Sequence, residues 1–326
     1  MNATEFVYLT MGVALVVYAL SAGADFGAGV WDLLSRTVEQ RKALEKAIAP
    51  IWEANHVWLI FIIVVMFTAF PKAFALLSIA FHVPLTFVLI GIVLRGAAFV
   101  FRSYGLVAEG TRARFGRVFA WASALTPICL GWVLGGMSSG AIVVRGEVVE
   151  SGYLAGWTTP YAMAVGGFAL VLFALLAAVY MTVETDGEVR EWFRQRAIAC
   201  ELLAAPVALV TYLLAPAALV AGGIPAQALT AGAACVTVAA LWRRRFAVAR
   251  AAVIAQVALI VIDFGLAMRG DFVLGVVGVA NSGTQAPTLP LLIAITLGGS
   301  VLLVPSMIAL YRQFKSAESP SPSRPS

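Results

Sequence analysis

Charged residues are scarce in this sequence. Asp, Glu, Lys and Arg together make up 12% of the 326 residues, whereas hydrophobic residues make up 61% and the mean hydropathy is +0.94. Because a soluble globular chain carries about 25% charged residues, a chain this apolar could not cover its own surface in water. The composition therefore excludes a pair of soluble domains and indicates a helix bundle in lipid.

Residues that build metal sites, disulfides and active sites are also few. The chain has two histidines and three cysteines, and its cysteines lie in or beside apolar stretches with no CxxC or Cys/His spacing. It has no Walker sequence, no Gly-rich dinucleotide loop and no plausible Ser/His/Asp site. No basic run is interleaved with aromatics, which argues against nucleic acid as a partner. We therefore expect no self-sufficient enzyme and no metal site.

The apolar residues are arranged in stretches of about 20, the length that crosses a hydrocarbon core of about 30 Å. The first stretch is too long for a signal peptide and is preceded by no Lys or Arg, so it is taken as a spanning helix. The sequence predicts an all-α integral membrane protein with nine transmembrane helices: Phe6–Leu33, Ala54–Phe70, Leu76–Phe101, Val118–Gly136, Tyr161–Val183, Glu201–Leu219, Ala226–Leu241, Ala251–Met268 and Leu289–Tyr311.

The basic residues alternate between the predicted loops. Of the 22 Lys and Arg residues, 18 fall in the loops after spans one, three, five and seven and in the C-terminal tail. The positive-inside rule then predicts that the N-terminus is outside and the C-terminus inside. We expect the bundle to occupy residues 1–315 and the Ser/Pro-rich residues 316–326 to form a disordered cytoplasmic tail.

The first basic loop carries a helix signal of its own. Thr37 and Gln40 have the spacing of a capping box, in which the side chains satisfy backbone N–H groups at a helix start. Leu44, Ile48 and Ile51 then form an apolar stripe at helical spacing. This pattern predicts a short helix on the inner membrane face, ended by Pro50.

Among the ionisable side chains in or beside the predicted spans, six form a short list of candidates for function. Such groups are costly in lipid and are functional candidates for that reason. Asp25 lies in the inner part of span one and Glu53 where span two enters from the inside, so both reach the cytoplasmic third of one helix pair. They are either a proton entry point or hydrated interfacial acids. The short list is Asp25, Glu53, His56, His82, Arg95 and Asp263.

The remaining four candidates give weaker predictions. His56 and His82 are predicted at depths about 15–20 Å apart, so they cannot be the two axial ligands of one haem. Glu53 and His56 form one Glu-x-x-His, whereas a di-iron bundle needs two. Arg95 is expected to snorkel to the inner interface. Asp263 is expected at mid-membrane, where it must be neutral, paired or facing water.

Two segments give the chain a family resemblance. GADFGAGVWD at 23–32 and IAPIWEANHVWLI at 48–60 resemble subunit II of cytochrome bd-type quinol oxidases, the cyanide-insensitive type included. That family typically has a Gly-x-Asp-x-Gly turn late in helix one and Ala-Pro-x-Trp-acid-x-Asn-x-Val-Trp-Leu at the start of helix two. Leu94-Arg95 and Phe101-Arg102-Ser103 are similar to its third helix.

The resemblance implies a partner and an architecture. It implies two four-helix groups plus a peripheral ninth helix, a subunit I that carries haems b and d, and a location in the prokaryotic cytoplasmic (inner) membrane. Quinol and oxygen would be the substrates of the complex, a small single-helix subunit a further partner, and a quinone an additional bound molecule. No residue of this chain would be catalytic in isolation.

The resemblance also implies roles for three residues. Glu53 matches an acidic residue implicated in cytoplasmic proton delivery, and Asp25 lies beside it on the neighbouring helix. Trp58 matches a tryptophan beside a lateral oxygen route in some members. A second hypothesis of a different class stays open: a secondary transporter in which Asp25 or Asp263 binds a coupling ion, with breaks at Pro84 and Pro127.

Overall fold

The computed structural model describes residues 3–48, 54–103, 105, 108–146, 148–220 and 224–283, with residues 290, 293–294, 298–299, 301, 305–306 and 309 beyond them. The described chain is helical apart from two short antiparallel hairpins, β1 (Val144–Arg145) with β2 (Val148–Val149) and β3 (Asp271–Val273) with β4 (Val277–Gly278). The helices are α1 (Ala3–Leu34), α2 (Val38–Ile48), α3 (Ala54–Ala69), α4 (Pro71–Ala80), α5 (His82–Ser103), α6 (Glu109–Ser138), α7 (Pro160–Glu184), α8 (Gly187–Leu214), α9 (Ala217–Val220), α10 (Ile224–Trp242), α11 (Phe246–Ala267) and α12 (Val279–Ser282).

Six of the described helices are long and apolar enough to cross a membrane: α1, α5, α6, α7, α8 and α11. The pair α3–α4 is bent by 118° and gives a seventh if it is one span, while the apolar part of α10 is shorter. Each of the first eight predicted spans overlaps at least one helix, although their bounds differ. The ninth, Leu289–Tyr311, lies almost wholly outside the described residues, and the predicted tail lies outside them entirely. The chain is a multi-pass membrane protein.

Two helices begin well before their predicted spans. Span four was predicted from Val118 and span six from Glu201, whereas α6 begins at Glu109 and α8 at Gly187. Arginines placed in cytoplasmic loops therefore lie in helices. The reason is that the apolar run marks only the part of a helix that is in lipid, while Arg, Glu and Gln are themselves good helix formers.

The region between spans two and three is also different from the prediction. The chain breaks at Phe70 and again at Phe81, so that α4 is a separate ten-residue helix and α5 begins at His82 instead of Leu76. Pro71 and Pro84 each lie in the first turn of their helix, where the missing N–H has no helical partner to lose. His82 is therefore the first residue of α5 and not a residue inside the span.

The core lies where α1 and α7 cross. The helix α1 packs against α3, α6 and α7, and α7 packs in turn against α6, α8 and α11. Phe26, Leu175 and Leu176 are fully buried there. Gly27 allows the close approach, because a Cβ at this position would overlap the backbone carbonyl of Phe173.

The helix α2 is fixed to the bundle by a cap and by charges. The predicted capping box is confirmed: the N–H of Gln40 donates to Thr37 Oγ1 at 3.2 Å, and Gln40 Oε1 accepts from the N–H of Thr37 at 3.3 Å. At the other side of α2, Glu45 accepts a hydrogen bond from Ser103 at 2.6 Å and lies 3.9 Å from Arg102. Arg102 also donates twice to Asp32, so one cation connects α1, α2 and α5.

Candidate functional site

An arginine and an aspartate form a buried ion pair among α1, α3, α5 and α6. Arg95 of α5 is 1% exposed and Asp25 of α1 is 4% exposed. One guanidinium Nη2 donates to Asp25 Oδ1 and also to the backbone carbonyl of Asp25. A buried charge is tolerated only when it is paired and hydrogen-bonded, and each of these two residues meets that need of the other.

The rest of the guanidinium is enclosed by α1 and α6. Its Nε donates to Ser123 Oγ at 2.9 Å, and its central carbon lies 4.9 Å from the ring centroids of both Phe26 and Phe119. Two aromatic faces on a desolvated cation add cation–π attraction to the ion pair. The prediction that Arg95 snorkels to the inner interface is wrong, because a carboxylate and two rings within the bundle replace its water.

A third helix joins the site through an amide. Asn55 Nδ2, on α3, donates to Asp25 Oδ2 at 3.0 Å, so both carboxylate oxygens of Asp25 accept hydrogen bonds. Asn55 Oδ1 and the hydroxyl of Tyr18 are buried and have no hydrogen-bond partner among the described residues. Buried polar atoms of this kind are the ones that internal water binds in proteins. The site therefore offers polar atoms on the inner part of α1 and at the start of α3.

The predicted partner of Asp25 cannot be placed. Glu53 lies outside the described residues, as does the adjoining stretch 49–52. Trp58 is described: it is half-buried on α3 and packs against the apolar cluster formed by Tyr18, Ala22, Phe26 and Phe173. Asp25 and Trp58 are thus on facing helices of one site.

The two histidines lie apart. His56 is in the first turn of α3, with its ring edge towards Phe26 at 6.5 Å between centroids. His82 is exposed at the start of α5, with Nδ1 2.9 Å from the carbonyl of Ile79 and its ring against Tyr153. About 20 Å of α3 follow His56 before the bend. These residues do not fit a haem with two histidine ligands, and the described residues contain no group of three or more His, Cys, Asp or Glu that could hold a metal ion.

Asp263 lies nearer one end of its helix than its middle. It lies in the last turns of α11, which ends at Ala267, and it is half-exposed. By the predicted orientation this is the outer end of the helix. A carboxyl near a helix end reaches the interface at lower cost than one at the membrane centre, which explains how it is accommodated.

A second buried polar pair was missed by the sequence reasoning. Glu201 of α8 and Gln256 of α11 are 5% and 4% exposed, and Gln256 Nε2 donates to Glu201 Oε1 at 2.7 Å. Glu201 was placed at the boundary of span six, so it was not counted among intramembrane acids. In the structure this helix begins at Gly187, so Glu201 falls in the middle of it.

Comparison with known proteins decides the family. The family model described as cytochrome bd terminal oxidase subunit II matches residues 3–314. The chain belongs to this family. Residues 3–314 include all the helices described above, together with Glu53, Asp25 and Arg95.

Individual relatives agree with this family assignment. The chain is 29% identical over 216 residues to cytochrome bd-I ubiquinol oxidase subunit 2 of Escherichia coli K12, an alignment that covers 64% of this chain and 55% of that protein. It is 24% identical over 196 residues to cytochrome bd ubiquinol oxidase subunit 2 of Bacillus subtilis, covering 58% and 56%. The chain thus matches little more than half the length of these relatives.

A solved structure supports the fold. The bd oxidase of Geobacillus thermodenitrificans contains a chain that superposes with a TM-score of 0.82 at 22% identity, covering 96% of this chain and 99% of that one. At this identity the likeness concerns the fold alone. It means that the helix arrangement around Asp25 and Arg95 is one that a bd oxidase chain adopts.

Proposed function

We propose that this chain is the non-haem subunit II of a terminal respiratory quinol oxidase that reduces oxygen to water. The observation that carries the proposal is the family match over residues 3–314, together with the fold shared with a bd oxidase chain. Its partner is a subunit I that holds haems b and d, with a small single-helix subunit and a bound quinone as further components. The complex resides in the prokaryotic cytoplasmic membrane and takes quinol and oxygen as substrates.

The proposed architecture has nine spanning helices, with the N-terminus outside and the C-terminus inside. The helices α1, α3, α5 and α6 form one four-helix group and α7, α8, α10 and α11 the other, with the ninth helix at the periphery. Packing of α1 on α3 and α6, of α7 on α8, and of α10 on α11 supports this grouping. The alternation of basic residues along the chain supports the orientation.

The transporter hypothesis is less well supported. Its coupling ion would need a carboxylate that is free to bind a cation inside the membrane. Both oxygens of Asp25 already accept hydrogen bonds, and Arg95 neutralises its charge. Asp263 lies at a helix end, partly exposed. The family match favours the oxidase.

Proton uptake is the part of the function that this chain would serve directly. Reduction of oxygen to water consumes protons, and a proton cannot cross hydrocarbon unaided. Glu53 precedes Asn55 by two residues, and two residues span at most about 7 Å of chain. Asn55 donates to Asp25, and we take its sequence neighbour Glu53 as the acid that serves this site. In this proposal Glu53 takes up the proton from the cytoplasm. Asp25 is paired with Arg95, supplies a negative charge to the site and holds the side chain of Asn55 by a hydrogen bond.

Trp58 is proposed to border an oxygen route. It packs on Tyr18, Ala22 and Phe26, which gives an apolar surface on the α1–α3 side of the bundle. Oxygen is apolar and reaches a buried site through lipid-like surroundings more readily than through charged ones. The Trp58 side chain would therefore affect oxygen access through the volume that its ring occupies beside the route.

The subunit assignment predicts co-purification. A tag on this chain should isolate a complex with a larger membrane subunit and stoichiometric haem, active in quinol-dependent oxygen consumption. This chain separated from that partner should be colourless, because its two histidines do not fit a haem with two histidine ligands. Pyridine haemochrome spectra of both samples make the measurement. A haem-free tagged complex that transports an ion would contradict the proposal.

Proton uptake through Glu53 predicts a graded response to substitution. Glu53→Gln keeps the size and hydrogen bonding but cannot titrate, so turnover should fall by about 100-fold, a typical contribution of a proton-transfer group. Glu53→Asp should retain most of the turnover. Oxygen consumption by purified complexes with equal haem content gives the comparison. If Glu53→Gln assembles and turns over like the wild type, the residue is only a hydrated interfacial acid.

The oxygen route predicts a separable change at Trp58. Trp58→Ala should change the apparent KM for oxygen while the haem spectrum and the maximal rate at saturating oxygen stay near those of the wild type. The reason is that access limits the rate only when oxygen is scarce. High-resolution respirometry measures both quantities. An unchanged KM would remove Trp58 from the route.

A further inference from the structure

Two polar side chains face each other between α8 and α11, away from the site at Asp25. Gln256 Nε2 donates to Glu201 Oε1 at 2.7 Å, and both residues are more than nine-tenths buried. The other two oxygens of the pair, Glu201 Oε2 and Gln256 Oε1, are buried and have no partner among the described residues. Both of these oxygens are hydrogen-bond acceptors. If Glu201 is ionised, no hydrogen atom lies between the two oxygens to form a hydrogen bond.

No cation offsets the Glu201 carboxyl among the described residues. The arginines of α8 and α11 that are nearest to Glu201 or Gln256 in sequence contact other residues. The adjacent titratable group on α8 is the thiol of Cys200. Thr182 of α7 and Thr237 of α10 donate their hydroxyl protons to carbonyls of their own helices. The other charged groups pair as follows: Arg190 with Asp186, Arg194 and Arg244 with Glu191, Arg250 with Glu184, and Arg196 over Trp192.

The balance of energies favours a neutral acid at this position. A buried carboxylate that has one hydrogen bond from a neutral amide keeps most of its desolvation penalty. The neutral acid avoids this penalty and adds an O–H donor. An unsatisfied buried acceptor is destabilising, so one proton that satisfies both of these oxygens stabilises the pair.

We propose that Glu201 is a proton-binding site, held as the neutral acid in a two-hydrogen-bond pair with Gln256. Gln256 Nε2 donates to Glu201 Oε1, and the protonated Oε2 of Glu201 donates to Gln256 Oε1. One bound proton thus satisfies both oxygens that otherwise lack a partner. The site belongs to the second group of helices and does not depend on the quinol oxidase assignment or on Glu53.

The pair also connects two helices. The helix α8 packs mainly on α7, while α11 packs on α10, α1 and α7. Loss of the proton would leave a charged carboxylate facing the Gln256 carbonyl oxygen, two groups that repel each other. Release of the proton therefore requires that the two helices separate or that water enters between them. While the helices stay packed, Glu201 remains protonated at neutral pH.

Infrared spectroscopy of the intact complex tests the protonation state directly. The C=O stretch of a neutral carboxyl falls at higher frequency than the amide and carboxylate bands and shifts in D₂O. We expect the wild-type complex at neutral pH to show such a band that Glu201→Gln loses. Uniform ¹³C-glutamate labelling should shift the same band in the wild type, which assigns it to a glutamate without any substitution.

Two variants complete the design. Asp263→Asn removes a carboxyl of α11 that is outside the pair and should leave the glutamate band in place. Gln256→Leu keeps the acid but removes its partner, so the band should remain and move to higher frequency.

Several results would overturn the proposal. One is a wild-type spectrum identical to that of Glu201→Gln in this region, since Glu201 would then be ionised. Another is failure of Glu201→Gln to assemble, because glutamine offers the same two hydrogen bonds as the neutral acid. A band that Gln256→Leu leaves unmoved would exclude the pairing.

Discussion

The buried ion pair between Arg95 and Asp25 is the constraint on which the first half of the structure depends. A guanidinium that is 1% exposed inside a membrane bundle is stable only if every neighbouring helix contributes to it. Here α1 supplies the carboxylate and one ring, α6 supplies Ser123 and the second ring, and α3 supplies the amide that holds the carboxylate. The pair therefore fixes four helices relative to one another, in a medium where the hydrophobic effect does little to orient them.

A second arginine of α5 repeats this arrangement in a less deeply buried place. Arg102 lies about two helical turns after Arg95 on α5. It pairs with Asp32 of α1 and approaches Glu45 of α2. Because these groups are less deeply buried, they connect α2 to the bundle while remaining close to water. The two arginines of α5 thus lie at different depths against the same helix α1. The proposed entry residue Glu53 is joined by the chain to Asn55 of the deeper site, so proton uptake and helix packing would share one set of side chains.

In the second half of the bundle, the most deeply buried polar contact between helices is proposed to be neutral. Glu201 and Gln256 connect α8 and α11 with no described cation nearby. Their hydrogen bonding is complete only if a proton is bound. The two halves therefore solve the same problem, a polar contact between helices in lipid, by different chemistry: an ion pair near α1, and an acid–amide pair near α11.

Much of the fold could be predicted from the sequence, because apolar length reports directly on the parts of helices that are in lipid. The same signal could not locate helix ends, so α6 and α8 begin earlier than predicted, and it could not detect the bend at Phe70. Asp25 could be selected as a costly intramembrane charge, but its partner could not, since Arg95 is 70 residues away and a long basic side chain near a span end is usually explained by snorkelling. Glu201 was missed because it adjoins a polar helical segment that resembles a loop.

The measurement that tests the central role of the ion pair is the stability of the assembled complex in a double-mutant cycle at Asp25 and Arg95. Asp25→Asn leaves the guanidinium buried without its counter-charge, and Arg95→Met leaves the carboxylate buried without its counter-charge. Each variant should lower the free energy of unfolding by about 3–5 kcal/mol. This loss should appear as a lower unfolding temperature and as less assembled complex. The double variant Asp25→Asn/Arg95→Met removes both charges and should be clearly more stable than the sum of the single effects predicts. Single variants as stable as the wild type, or effects that simply add, would contradict the account.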